Sequence, residues 1–392
     1  MRSQSLDCRN RLAALRLART PRLGPVTYLK LINRFGSPVE ALEALPDFAS
    51  SRRTQLFAIP REDAALAEME AIDQAGDHLF LLGDDAYPTA LACIPDPPIA
   101  LTARGRCELL DRPALGIVGS RNASAAGRRL ASDLARELAT SGMSIVSGLA
   151  RGIDGAAHRG AGADSTIAAV AGGVDVIYPP EHSDLHLEIA RDGLIVSECS
   201  LGTRPVARDF PRRNRVISGL SLGTLVVEAA LQSGSLITAR LANEQGREVM
   251  ALPGSPLDPR ARGTNRLLRE GAQLVETADD IMEILSTCSR PQPARLEENE
   301  ESWIETDLQV EMPLTGAGGS ISVEGEPSAS EGSHQEPTAI FGLLSMAPVS
   351  IDELVRQSGR PLGDVQAELI ELELAGAVQF SASGLVQRTE NA

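Results

Sequence analysis

A chain of 392 residues with 43% hydrophobic content is long enough for two or three separately packed domains, and no apolar run approaches the roughly 20 residues of a membrane span. The polar first ten residues lack the apolar stretch of a secretory signal, so the expected location is cytoplasmic, and five cysteines at 8, 93, 107, 199 and 288 without a C-x-x-C pair argue against a disulfide framework or a zinc site. The net charge of −16 is concentrated at one end: residues 1–110 hold 13 basic and 14 acidic side chains, 111–290 hold 20 and 21, and 291–392 hold 4 and 18.

Residues 1–63 read as a helical domain, with Leu12, Leu15 and Leu17, then Leu29, Ile32 and Phe35, then Ala41, Leu42 and Leu45 at helical spacing. Turn signals at 22–25 and 35–38 separate them. The arrangement resembles a small helix-hairpin-helix or SAM-like module, which either holds a nucleic-acid backbone through its hairpin or simply packs as a cap on its neighbour. An Ala/Glu-rich helix over 62–75 then leads into a strand at 79–82 and a proline-broken run at 87–99.

From 64 to 290 the spacing predicts an α/β domain with a Rossmann-like parallel sheet. Strands are expected at 114–118, 144–147, 166–171, 194–197, 224–227 and 249–252, with a helix at 125–140 that Ser124 caps. Short, continuously apolar strands between amphipathic helices belong to a sheet covered on both faces. Such sheets bind ligands beyond the carboxyl ends of their strands. Gly119-Ser120-Arg121, the loop from Ser147 and Gly148 to His158, Gly172-Gly173, Ser197-Glu198, Glu228 and Pro253-Gly254 all fall there.

Residues 291–337 hold 1 basic and 11 acidic residues among Pro, Gly and Ser, and read as a disordered acidic linker. Order returns over 338–392, where helices near 339–346, from Ser350 and over 361–375, with a hairpin at 376–380 and 385–387, look like a winged-helix domain. Its third helix carries Asp364, Glu368, Glu371 and Glu373 and no basic residue, so it is expected to repel phosphate and to serve a protein contact or regulation.

Lys30 is the sole lysine, so any phosphate site here is built from arginine. Arg121, at the expected start of a helix, would offer a phosphate both amides and a guanidinium fork, and Arg151, Arg212, Arg213 and Arg215 would extend the site along a strand. The alternative for these arginines is pairing with Asp154, Asp209 or Glu228. Phe210, before Pro211, is either a base-stacking platform or a core plug. His158, four residues after Asp154, has no nucleophile or metal partner nearby and reads as a hydrogen-bonded structural histidine, and no metal site or cofactor is expected.

G-S-R at 119–121, S-G-L-A-R-G-I-D at 147–154, A-G-G-V-D at 171–175 with Tyr178-Pro179, F-P-R-R-N-R at 210–215, V-E-A at 227–229 and S-G-S-L-I-T-A at 233–239 together resemble the DNA-processing protein DprA (Smf) family. The resemblance implies a non-enzymatic protein that binds and protects incoming single-stranded DNA and loads RecA recombinase in natural transformation, as a homodimer. It carries phosphate binding to Gly119, Ser120 and Arg121, and the F-P-x-R-N element to Phe210, Pro211, Arg213 and Asn214. With the residues argued above, the expected DNA surface is Gly119, Ser120, Arg121, Ser147, Gly148, Arg151, Phe210, Arg212, Arg213, Asn214 and Arg215. A competing class is a nucleotide-processing enzyme of a related Rossmann-like family, for which Gly223-Thr224 followed by Glu228 would be the motif, one residue out of register.

Overall fold

The structure, a computed structural model, describes residues 6–51 and 58–288, and in the tail 349–350, 354–355, 365, 368–369, 372, 378–380 and 385–388. The expected acidic linker and the tail helix expected at 339–346 lie outside the described residues. Among those described, no helix is long and apolar enough to cross a membrane.

Helices α1 (Cys8–Ala18), α2 (Pro25–Phe35), α3 (Pro38–Ser51) and α4 (Glu62–Gln74) gather around Leu15, Leu17, Tyr28, Leu31 and Leu45. Asp7 caps α1, its carboxylate accepting from the Asn10 amide, and Pro25 starts α2 where a missing N–H costs nothing. Ala65 of α4 belongs to the same core, which also takes in Leu81, Ile99 and Ala100 at the edge of the sheet.

That sheet has nine strands in the order β1 (His78–Leu81), β2 (Ala100–Gly105), β6 (Leu194–Ser197), β5 (Thr166–Ala169), β4 (Ser144–Ser147), β3 (Ala114–Val118), β7 (Gly223–Val226), β8 (Glu248–Ala251) and β9 (Gln273–Leu274). From β6 to β9 all pairs are parallel, while β2 runs antiparallel to β6 and to β1. The chain builds outward from β3 to β6, then crosses back to β7 on the other side of β3. This reversal makes the gap between β3 and β7 the topological switch point.

Alternation along β3 explains the layering. Leu115 and Ile117 pack with Leu134 and Leu138 of α6 (Ala125–Thr140), with Ile153 of α7 (Ile153–Ala161) and with Ile281 of α12 (Ala278–Ser286). Ala114 and Val118 face Val216 and Ile217 of α9 (Asp209–Leu220) and Ala239 of α10 (Ser235–Glu244). Helix α8 (Ser183–Asp192) covers the β5–β6 side through Leu185 and Ile189, and α11 (Arg262–Arg269) follows β8.

The six expected strands form, within one to two residues of their expected bounds, and Ser124 caps α6 by accepting from the Gly127 amide. The strand expected at 79–82 forms as the antiparallel edge strand β1, and two strands go beyond the expected set: antiparallel β2, after the proline-broken run with its short helix α5 (Thr89–Ala92), and parallel β9, two residues long. The C-terminal winged-helix domain has its own small sheet. Its strands β10 (Val349–Ser350), β11 (Val378–Phe380) and β12 (Leu385–Arg388) form a sheet in the order β10-β12-β11, over a core of Leu354, Val365, Leu369, Val378 and Val386. Ser350, expected to start a helix, instead pairs with Leu385 in that sheet, and helical residues are found at Leu354 and Val355.

Candidate nucleic-acid interface

A cleft of about 180 Å³ opens over the carboxyl ends of β4 and β5 beside the turn that follows β3. Arg121, Gly148, Arg151, Gly172, Tyr178, Phe210 and Arg213 line it. Arg121 is exposed, and its guanidinium carbon sits 5.0 Å from the centroid of the Phe210 ring, a cation–π arrangement that holds the charge at the cleft wall. The Tyr178 ring leans on Phe210 from 5.6 Å at 53°.

The floor is built differently. Arg213 projects from α9 under the cleft, is 7% exposed, and donates through Nη1 to the carbonyls of Gly148 and Ala169, each at 2.5 Å, and through Nε to Asn214 Oδ1 at 3.2 Å. A side chain at position 148 would collide with this guanidinium, which is why glycine stands there. Burial lowers the Arg213 pKa to about 10, with the charge of Asp154 acting the other way. Asp154 is itself buried, and desolvation raises its pKa even though the amides of Gly148 (3.1 Å), Ala150 and Gly119 donate to it. The two buried charges hold the ends of β4 and β5 to α9.

Two histidines fix the turn between them. Leu149 is fully buried with φ +56°, a left-handed conformation costly for a branched side chain. Its amide donates to His158 Nε2 at 3.2 Å and its carbonyl accepts from His182 Nδ1 at 3.0 Å. His158 Nε2 is thus an acceptor and Nδ1 donates to Thr166 Oγ1 at 2.7 Å, so the ring is neutral, and burial pushes its pKa down to about 3. His158 is the structural histidine that its surroundings in the sequence suggested.

The phosphate cradle expected at the start of α6 is already filled. Glu228, beyond the end of β7, accepts from the Ser124 amide at 2.9 Å and from Ser124 Oγ at 2.5 Å, and a side chain at Gly127 would strike its carboxylate. The Ser120 amide donates to the Glu228 carbonyl at 2.7 Å, and the Gly119 amide faces Asp154. The Gly119 and Ser120 amides therefore serve an internal carboxylate and an internal carbonyl. The Arg121 guanidinium is the charged group of G-S-R that stays exposed.

The other expected residues divide. Arg151 is at the cleft, 62% exposed in its side chain and 3.4 Å from Glu181. Ser147 is buried and donates to the Ile117 carbonyl at 2.6 Å. Asn214 lies beneath Arg213, its amide nitrogen 3.4 Å from the Gly234 carbonyl. Arg215 is buried with Glu198 at 2.5 Å and also donates to the Asp96 carbonyl. Arg212 stays 58% exposed in its side chain, outside the cleft lining, 3.1 Å from the same Glu198 oxygen. The backbone carbonyl of Glu198 accepts from Arg19 of the N-terminal helices at 2.8 Å, so one residue joins those helices, the sheet and the arginine-rich helix.

Sequence reasoning left Tyr178 off the surface, although an exposed aromatic residue beside Pro179 and Pro180 among only three tyrosines was the available signal. It also left out Arg204 and Arg208, both exposed on the loop that leads from β6 into α9. Among the described residues no three His, Cys, Asp or Glu side chains gather as metal ligands.

The family model described as DNA recombination-mediator protein A matches residues 78–286, a DprA-like N-terminal HHH domain matches 8–71, and a DprA winged helix domain matches 324–382. Protein Smf of Escherichia coli is 38% identical over 319 residues, 81% of this chain and 79% of its own length. The DNA processing protein DprA of Bacillus subtilis is 43% identical over 220 residues, 55% of this chain and 74% of its own. The X-ray structure of DNA processing protein A from Streptococcus pneumoniae superposes with a TM-score of 0.58 at 33% identity, covering 71% of this chain and 98% of that one.

Proposed function

Because the chain belongs to the DNA recombination-mediator protein A family, we propose that it binds single-stranded DNA along the cleft at the carboxyl ends of β3, β4 and β5. The observation that carries this reading is Arg121: an exposed guanidinium held on the Phe210 ring at the mouth of a cleft whose floor is the buried Arg213. A phosphate there meets a fork of donors already oriented, so little side-chain entropy is lost on binding. Arg151, exposed and 3.4 Å from Glu181, and Arg212, exposed and paired with Glu198 at 3.1 Å, extend the track, and Ser120 and Gly119 shape the turn that presents Arg121. Arg213, Asn214, Arg215, Ser147 and Gly148 act beneath the surface, fixing the strand ends.

In this reading the protein is a mediator and not an enzyme. It protects incoming DNA and passes it to RecA in the cytoplasm during natural transformation, working as a homodimer; family membership is the support for these roles. The nucleotide-cleaving alternative needs a free carboxylate after Gly223-Thr224, and Glu228 is committed to Ser124 and the start of α6.

Competition between single-stranded and duplex DNA of equal length for the full chain tests the proposal. Preference for the single strand is expected, with no base or sugar phosphate released from a nucleotide panel. Equal affinity for both forms, or turnover of a nucleotide, would overturn it.

A further inference from the structure

The N-terminal helices carry more positive charge than their packing uses. From Cys8 to Val39 the chain has seven basic residues and no acidic one, in a molecule whose net charge is −16. The acidic residues on either side are engaged locally, Asp7 by the Asn10 amide at 2.8 Å and Glu40 by the Ser37 hydroxyl at 3.1 Å. Three of the seven basic residues are bound within the fold: Arg11 pairs with Asp84, Arg16 donates to the Pro60 carbonyl at 2.9 Å, and Arg19 donates to Glu68 at 2.7 Å and to the Glu198 carbonyl at 2.8 Å. The other four, Arg9, Arg22, Lys30 and Arg34, are exposed and lie outside the cleft lining. We propose that these four form a second nucleic-acid surface, which holds the backbone of duplex DNA apart from the single-strand cleft.

Lys30 and Arg34 stand four residues apart on α2 and so share a face, and Arg22 lies in the turn that leads into that helix. Asn10 Oδ1 accepts from the Val39 amide at 3.3 Å, which brings the start of α1, and Arg9 with it, to the chain that leaves α2. The cations therefore run the length of α2, about 16 Å, which matches roughly five base pairs of duplex. The aromatic residues of the segment serve other ends. Tyr28 is 2% exposed, and the half-buried Phe35 ring carries the Arg34 guanidinium, whose carbon is 5.4 Å from the ring centroid. The face thus offers charge to phosphates and no open ring to an unpaired base, in contrast to surfaces that grip single strands by stacking. Recognition through phosphates alone is indifferent to base pairing, and a duplex presents two strands of charge over the same length. Through Arg19 the module is tied to Glu198, the residue that also pairs with Arg212, so the duplex track is held at a fixed place relative to the cleft.

Anisotropy titrations of the full chain with a short duplex and with an oligothymidylate, each at several salt concentrations, separate the two surfaces. The combined variant Arg22→Gln, Lys30→Gln and Arg34→Gln is expected to weaken duplex binding on the order of tenfold or more at low salt. Its log–log salt slope for duplex should be shallower by about 2.7, while its oligothymidylate affinity is unchanged. Lys30→Gln alone should make the duplex slope shallower by about 0.9 and Lys30→Arg should not, so the outcome does not depend on the combined variant folding. Duplex should stay bound to the wild type when oligothymidylate saturates the cleft. Unchanged duplex affinity in the combined variant, an equal loss on both nucleic acids, or one-for-one displacement of duplex by oligothymidylate would each overturn the proposal. So would binding of polyglutamate at this face in place of duplex, which would assign it to an acidic protein. A wild type that binds duplex here but no oligothymidylate would instead overturn the reading of the cleft and leave this surface standing.

Discussion

Arg213 shows how a residue can belong to a binding motif and yet do its work underneath it. Its guanidinium neutralises part of the buried Asp154 charge and supplies the donor for the Gly148 and Ala169 carbonyls. Replacing it with Met strands that carboxylate and both carbonyls, which is expected to cost about 3–5 kcal/mol in urea unfolding; a loss below about 1 kcal/mol would mean that the pair is not structural. His158 gives a pH prediction. Its pKa is lowered to about 3 by burial, so between about pH 6.5 and 3 the unfolded chain binds a proton that the folded chain refuses, and stability falls as pH falls through that window. The slope from this group is at most about 1.4 kcal/mol per pH unit. Asp154, with a raised pKa, contributes in the opposite sense, so the check is the difference between wild type and His158→Gln, whose acid sensitivity should be the smaller. Sequence spacing is enough to place Asp154 and His158 on one helix and Arg121 in the turn after β3. It did not separate Arg121 from Arg213 and Arg215, because burial in F-P-R-R-N-R depends on which side of α9 meets β3, β4 and β5, a matter of tertiary packing that local pattern does not encode.

At the scale of elements, the first turn of α6 is the instructive one. A strand, a glycine turn and a capped helix invite a phosphate, and the bounds of the helix are legible from its Leu spacing and Ser124, although Leu130, read on one face with the buried Leu134 and Leu138, is 39% exposed. The ligand at its N-terminus is nevertheless internal: Glu228, more than a hundred residues away in sequence, reaches the Ser124 amide and hydroxyl. A carboxylate so placed meets the positive end of the helix dipole. Ser124→Ala removes both the cap and an anchor of Glu228, and a loss of about 1–2 kcal/mol is expected by thermal unfolding; an unchanged melting temperature would contradict the capping role. Of the two antiparallel strands, β1 is legible at 79–82 and β2 is not. β2 comes directly after prolines at 95, 97 and 98, and its pairing partner β6 lies some ninety residues on, beyond the reach of period arguments. The two residues of β9 carry no period at all.

For the whole molecule, charge separates the parts. The region up to residue 290 is close to neutral, while 291–392 carries 4 basic against 18 acidic residues, so the full-chain charge is a poor guide to the binding surface. A chain ended at residue 290 should bind single-stranded DNA at least as tightly as the full chain at low salt, the difference shrinking as salt screens the tail. Loss of binding on truncation would instead place DNA contacts in the tail. The proposed contact of Arg121 with the DNA backbone is measured directly by the salt dependence of single-strand affinity for wild type and Arg121→Ala. Loss of one phosphate contact should weaken binding by about 1.5–3 kcal/mol and make the log–log salt slope shallower by about 0.7. Parallel salt slopes with unchanged affinity would contradict it.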